Sequence, residues 1–331
     1  MDVLADILTA IRVGRPVAAH TQADAPWGLR FDHVTGAAFH VVLEGTCRLT
    51  PLPDRRDRQG PGEDTGFEPV ALGPGDVVLL CRGLPHTLAS SPGAPLTGFS
   101  PQREFASAPY GRMTVPGHGP RSTIVCGAYR LERRQPHPLL RDLPEVLHLP
   151  ALPGRHTGLR AMVELLSEEL RTGPSGAAAV VPSLVDALLV YMLRAWLRES
   201  DGASGWSAAL ADPVTSRALA AMHTEPAYPW TVERLGAVAG LSRAAFARRF
   251  TTLAGEAPLT YLTRWRMTVA ARLLRDTDHT LAQIAKDVGY GSAFAFAKAF
   301  RREYATTPGG FRTSIRTGTE RSAPDHSGRP E

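Results

Sequence analysis

The side chains with the clearest chemistry to offer are arginines and lysines carried on two stretches that repeat each other. A guanidinium can hold O6 and N7 of one guanine through two hydrogen bonds, and either cation can pair with phosphate. TVERLGAVAGLSRAAFARRF at 231–250 lies on TLAQIAKDVGYGSAFAFAKAF at 280–300. The alignment pairs Thr231 with Thr280, Leu235 with Ile284, Gly240 with Gly289, Ser242 with Ser292, Phe246 with Phe296 and Phe250 with Phe300, with one inserted residue in the turn. Thr231 and Thr280 are placed to cap a first helix. Leu235 with Ala239, or Ile284 with Val288, forms its inward face, and Gly240 or Gly289 ends it in a conformation costly for other residues. Ser242 or Ser292 then caps a second helix, whose phenylalanines four residues apart pin it to the first and leave the opposite face free. Each copy thus reads as a helix-turn-helix, with its second helix offered to a major groove.

Helical geometry assigns the free faces. In the first copy Ala244, Ala247 and Arg248 point away from the Phe246/Phe250 side and are expected at base edges, with Arg248 the principal base-reading residue. Arg243 and Arg249 are expected at phosphates or, more plainly, as solvated surface charge. The second copy offers Ala293, Phe294, Ala297 and Lys298, with Arg301 and Arg302 towards the backbone. So many alanines suggest contact with thymine methyls and shape readout, so the second unit is expected to discriminate weakly. Between the copies, LTYLTRWRMTVAARLL at 259–274 places Leu259, Leu262, Trp265, Val269 and Leu273 on one face of a helix. At about 1.5 Å per residue, that helix holds the two reading helices about one turn of DNA apart.

Charge supports the assignment. Residues 213–316 hold 15 Lys+Arg against 7 Asp+Glu, a local +8 in a chain of net +5, which is the footprint of a polyanion binder or of an acidic protein partner. The chain's 331 residues and 43% hydrophobic content suffice for two cored domains. Three cysteines, Cys47, Cys81 and Cys126, lie at no zinc-like spacing and read as reduced thiols. The opening MDVLADILTAIR lacks the basic start and unbroken apolar core of a signal peptide, so the expected location is the cytoplasm. The most apolar stretch, 184–197, is flanked or broken by Pro182, Asp186 and Arg194 and reads as too short for a membrane span. No nucleotide-binding glycine loop or nucleophile elbow stands out, and GPGD at 73–76 reads as a strand-entry turn.

The rest of the chain must position these residues. From 27 to 130, short apolar runs separated by Pro, Gly and Asp predict a small antiparallel β-barrel, with a long mobile loop at 51–69. From 155 to 200 the period becomes helical. Leu159, Met162, Val163, Leu166 and Leu170, then Leu184, Leu188, Met192 and Trp196 after GPSG, predict a helical hairpin that packs on the barrel or forms a homodimer interface. SDGASGWSA at 200–208 reads as a linker, and 317–331 as a disordered tail.

The stretch 213–316, including LSRAAFARRFTTLAGEAPLTYLTRWRM, LAQIAKDVGYGSAFAFAKAF and TTPGGFR, closely resembles the DNA-binding domain of AraC/XylS-type transcription regulators. GAAFHVVLEG at 36–45, LGPGDVVLLCRGLPHTL at 72–88, and the CGAYRLER and HPLLRDLPEVLHL segments within 126–149 resemble, more diffusely, the cupin-type sensing domains fused to such regulators. The resemblance implies an α+β multidomain chain: a cupin-like antiparallel β-barrel sensing domain (1–150), a helical hairpin and linker (151–205) that could dimerise, and an all-α tandem helix-turn-helix domain (213–316). It implies a transcription regulator, of activator type, that binds promoter DNA as a homodimer, answers a small-molecule or redox effector and engages RNA polymerase. Metal-binding cupins commonly supply two histidines and a glutamate from one strand and a histidine from a later one. Here the resemblance yields His40, Glu44 and His86, with Ala38 where a further histidine is expected, as ligands for a divalent metal. A filled site of that kind would favour the alternative reading, a metal-dependent cupin enzyme of oxygenase or isomerase type with an accessory DNA-binding domain. Cys81, beside Arg82, is expected either as a redox switch of lowered pKa, paired with Cys47 if their strands are neighbours, or as a small buried side chain.

Overall fold

The computed structural model describes residues 2–32, 34, 36–52, 67–99, 110–132, 137–200 and 205–320. Most of the expected loop at 51–69 lies outside the described residues. Contacts divide the chain into two compact units.

One unit comprises Arg12–Glu132 and Leu143–Asp201. Its strands are β1 (Val17–Asp24), β2 (Gly28–Phe31), β3 (Ala37–Glu44), β4 (Cys47–Pro51), β5 (Val70–Leu72), β6 (Val77–Leu80), β7 (His86–Ala89), β8 (Thr97–Gly98), β9 (Tyr110–Val115), β10 (Arg121–Tyr129) and β11 (Val146–Leu149). They form a six-stranded sheet, β11-β6-β3-β10-β1-β9, and a five-stranded sheet, β5-β4-β7-β2-β8. Pairing is antiparallel except at β1–β9 and β2–β8, so the expected barrel carries parallel strands at one edge of each sheet. Trp27, Leu29, Phe31, Leu49, Leu80, Leu88 and Ile124 fill the core, each almost wholly buried. GPGD is the expected strand-entry turn. Gly75 has φ +86° there, and the Gly73 N–H donates to Asp76 Oδ2 at 3.0 Å.

The same unit carries the helical hairpin, α3 (Thr157–Thr172) and α4 (Ala177–Glu199), turned by Gly173 (φ 59°) and Gly176 (φ 91°). Leu159, Val163, Leu166 and Leu170 are buried as the spacing predicts. On α4, Leu188 and Met192 are buried, but so are Val181, Val185, Leu189 and Leu193, while Leu184 and Trp196 are half-exposed. The buried face is wider because α4 meets both α3 and the strands β1 and β11. Pro182 does not break the helix. Helix α4 spans 23 residues, and its most apolar 18-residue stretch has a mean hydropathy of 1.6, a composition that a core helix shares with a membrane span; its buried face packs on α3, β1 and β11.

The other unit comprises Met1–Ile11, Arg133–Asp142 and Gly202–Glu331. It holds α1 (Val3–Ile11), α2 (Pro138–Asp142), α5 (Gly205–Ala211), α6 (Pro213–Thr224), α7 (Val232–Ala239), α8 (Arg243–Ala254), α9 (Pro258–Asp276), α10 (Leu281–Asp287), α11 (Ala293–Tyr304) and α12 (Pro308–Glu320). Helix α1 packs on α6 and α9 through an apolar face that includes Ile7 and Ile11, both fully buried. The first two segments of this unit fall inside 1–150, the stretch that the resemblance assigned to the sensing domain. The expected linker at 200–208 runs into α5, where Trp206 is buried and its backbone N–H donates to Asp142 Oδ2 at 2.6 Å. Helix α12 continues through 317–320, and the remaining expected tail lies outside the described residues.

Candidate nucleic-acid interface

Each turn of the repeat is built by local hydrogen bonding. Thr231 Oγ1 accepts from Arg234 N–H (3.2 Å) to start α7, and Gly240 ends it in the left-handed region at φ 74°. Ser242 Oγ then accepts from Ala245 N–H (3.4 Å) to start α8. In the second copy Thr280 Oγ1 takes Gln283 N–H (3.2 Å), Gly289 turns at φ 79°, and Ser292 Oγ takes Ala295 N–H (3.1 Å). A Cβ at Gly289 would also meet the Ala227 carbonyl oxygen at 2.7 Å, so glycine is required there twice over. Phe246, Phe250, Phe296 and Phe300 are fully buried, as are Leu235, Ile284 and Val288.

Helix α9 is the strut between the copies, but its buried surface is broader than the expected stripe. Tyr261, Leu262, Trp265, Met267, Thr268, Ala270, Ala271 and Leu274 are buried, while Leu259 is exposed. A central helix contacted by α1, α8, α10, α11 and α12 buries several faces at once. Some of the local positive charge is structural. Arg264 bridges Glu256 (2.9 Å) and Glu303 (3.7 Å), and Arg312 donates to the carbonyls of His279 (2.7 Å) and Leu274 (3.3 Å).

The outward faces carry the residues singled out by spacing. On α8, Ala244 and Arg248 are exposed and Ala247 half-buried, and the Arg248 guanidinium has no polar partner among the described residues. Its neighbours are engaged. Arg243 pairs with Glu233 at 2.7 Å, and Arg249 holds both carboxylate oxygens of Asp212, at 2.5 and 3.0 Å. Spacing did not single out Asp212, although it is the N-cap of α6, accepting from Thr215 N–H (2.9 Å) and Oγ1 (2.7 Å). Arg249, then the Thr215 bonds, hold its carboxyl well below the usual carboxylate range. Replacing Asp212 with alanine removes cap and ion pair together. A loss of about 1–2 kcal/mol in urea unfolding is expected, and an unchanged midpoint would contradict this role. On α11, Ala293 and Ala297 are half-buried, while Phe294, Lys298, Arg301 and Arg302 are exposed.

The strand-rich unit assembles less than its residue types suggested. His40 and His86 meet in the core, Nε2 to Nε2 at 2.8 Å, with the Phe31 ring stacked on His86 at 4.6 Å. His86 Nδ1 donates to the Leu84 carbonyl (2.6 Å), which leaves its Nε2 bare to accept the His40 N–H. His40 Nδ1 is then a bare acceptor, buried with no hydrogen-bond partner among the described residues. Glu44 does not join them. The β3–β10 register slips between Val42 and Glu44, and Glu44 is exposed, accepting from Thr123 Oγ1 at 3.2 Å. The nitrogens face each other at hydrogen-bond range, whereas two ligands of one tetrahedral metal stand about 3.3 Å apart. Among the described residues no three His, Cys, Asp or Glu side chains form a metal-holding group, so the residues present do not fit the expected site.

All three cysteines are free thiols, and the redox reading of Cys81 is corrected. Burial pushes the Cys81 thiol up to about 12, outweighing Arg82, which pairs with Glu145 at 3.7 Å. Cys47 is likewise pushed up to about 12 by burial, and its strand β4 lies in the other sheet from β6, which Cys81 follows; it shares the barrel core with Cys126 instead.

The family model described as Cupin matches residues 2–198, and one described as Helix-turn-helix domain matches residues 235–314. An AraC-like transcription regulator of Streptomyces lividans is 37% identical over 94% of this chain and 98% of its own length. The HTH-type transcriptional regulator AlkR of Acinetobacter baylyi is 28% identical over 94% and 99%. The crystal structure of the DNA-binding domain of AdpA in complex with a target DNA aligns with a TM-score of 0.31 and 33% identity, over 33% of this chain and 97% of that one. With its cupin and helix-turn-helix regions in this order, the chain belongs to the AraC-like family of DNA-binding transcription regulators.

Proposed function

We propose that the chain activates transcription by seating α8 and α11 in successive major grooves of promoter DNA, in answer to a signal received by its cupin unit. The observation that carries this reading is the repeated presentation of a capped helix, pinned by two buried phenylalanines, with exposed cations opposite them: Arg248 on α8, and Lys298, Arg301 and Arg302 on α11. On α8, Arg248 reads guanine, Ala244 and Ala247 admit close approach to base edges, and Arg243 and Arg249 face the phosphates from their ion pairs. On α11, Ala293, Phe294, Ala297 and Lys298 face the groove, with Arg301 and Arg302 towards the backbone. Two copies join through the α3–α4 hairpin, whose Leu165 and Val180 are large apolar side chains left in solvent. The effector is a small molecule, supported by a cleft of about 430 Å³ lined by Val42, Val77, Leu149, Leu159, Val163 and Arg160. The bound protein contacts RNA polymerase and works in the cytoplasm. The competing enzyme reading loses its third ligand with Glu44 in solvent.

The test is binding of the full chain to its own upstream DNA and to scrambled DNA at two salt concentrations, with Arg248→Ala alongside. Preference for the upstream DNA of at least about tenfold is expected, and Arg248→Ala should lower specific affinity by about 1–3 kcal/mol. Equal, steeply salt-dependent binding to both DNAs would show phosphate attraction alone and count against this reading.

A further inference from the structure

Phe294 is 82% exposed, far more than any other large apolar side chain among the described residues. It sits in the first turn of α11, two residues after the cap Ser292. At 100° per residue it shares a stripe with Lys298 and Arg301, one and two turns further on, while Phe296 and Phe300 turn inward to full burial. The residues flanking it, Ala293, Ala295 and Ala297, are too short to shield its ring. Two of the three phenylalanines of one helix therefore build the core and the third is held in water, at the end of the face that carries the cations. An aromatic ring so placed gains by burial against something apolar, and the apolar feature of a major groove is the thymine 5-methyl group. We infer that Phe294 is a specificity-determining residue that packs on the 5-methyl of one thymine in the half-site bound by α11. This rests on the reading of α11 as a groove-entering helix, and it reverses the expectation that the second unit discriminates weakly.

The experiment uses the full chain. A binding site is first selected from random DNA with the wild-type protein, and each thymine in it is then replaced singly by uracil, which removes only the methyl group. Wild type, Phe294→Ala and Phe294→Leu are titrated on every duplex at one fixed salt concentration. One thymine is expected at which uracil weakens wild-type binding about fourfold, the worth of one buried methyl. Phe294→Ala should bind thymine and uracil there equally, and Phe294→Leu should keep part of the difference. Unchanged thermal unfolding of Phe294→Ala excludes a folding defect. A selected site with no uracil-sensitive thymine, or the same thymine-to-uracil ratio in Phe294→Ala, overturns the role of Phe294 while leaving α11 in the groove. Failure of the wild type to select any site overturns it together with the reading of the interface.

Discussion

Phe296→Ala is expected to cost about 3–5 kcal/mol of stability, because a fully buried ring is removed from a packed site and a cavity is left behind. The ring lies 5.7 Å from that of Phe300 and 6.1 Å from that of Tyr290, in a cluster completed by Met267, Ala271, Leu274, Ile284 and Val288. Helix α11 has only 12 residues, too few to persist in water without this packing. Its loss should therefore abolish reading by the second copy. The matched control is Phe294→Ala, which makes the same chemical change two residues away at an exposed position and should shift the unfolding free energy by less than about 0.5 kcal/mol. Urea titrations of the two variants check the contrast. Equal midpoints would mean that the assigned core and surface faces of α11 are wrong.

Acid should unfold the cupin unit through its histidine pair. Burial, partly offset by the bond to Leu84, pushes His86 down to about 4, and burial holds His40 well below its usual range. Both are neutral in the folded chain at pH 7, whereas in the unfolded chain each takes up a proton near pH 6.5. The unfolded state therefore binds more protons as pH falls from about 6.5 towards 4, and stability is lost over that window and fully present above it. For His86 the loss is on the order of 3 kcal/mol. The other unit contributes in the same direction through His223, pushed down to about 3 by burial, and through His137, also lowered by burial. The pair's share is isolated by comparing wild type with a His40→Leu/His86→Leu double variant at pH 7.5, 6 and 5. The variant should lose stability less steeply. Parallel decline would assign the acid sensitivity to other groups.

The helix-turn-helix repeat was legible because everything that shapes it is local. Caps at Thr231, Ser242, Thr280 and Ser292 lie three residues from the N–H groups they satisfy, and phenylalanines four apart must share a face. The GPGD turn was legible for the same reason. Other elements escaped. Strand β1 is mostly buried, yet VAAHTQAD has small and polar residues where alternation would announce a strand. Trp206 sits among linker-like residues, and only its docking beside Asp142, 64 positions back, makes it core.

Spacing and residue type were enough to specify the tandem helix-turn-helix units, the exposure of Ala244, Arg248, Phe294 and Lys298, and the strands followed by a helical hairpin, since helix and strand periods depend on neighbours within a few positions. Tertiary structure alone decided which outward cations are free. Arg249 is held by a carboxylate 37 residues away, whereas Arg248 beside it is not. It alone turned Glu44 away from His40, through a register slip that depends on the facing strand β10. Burial, a property of the whole fold, likewise overrode the effect of Arg82 on Cys81. Desolvation and long-range pairing are set by segments distant in the chain, and no local pattern records which segments will meet.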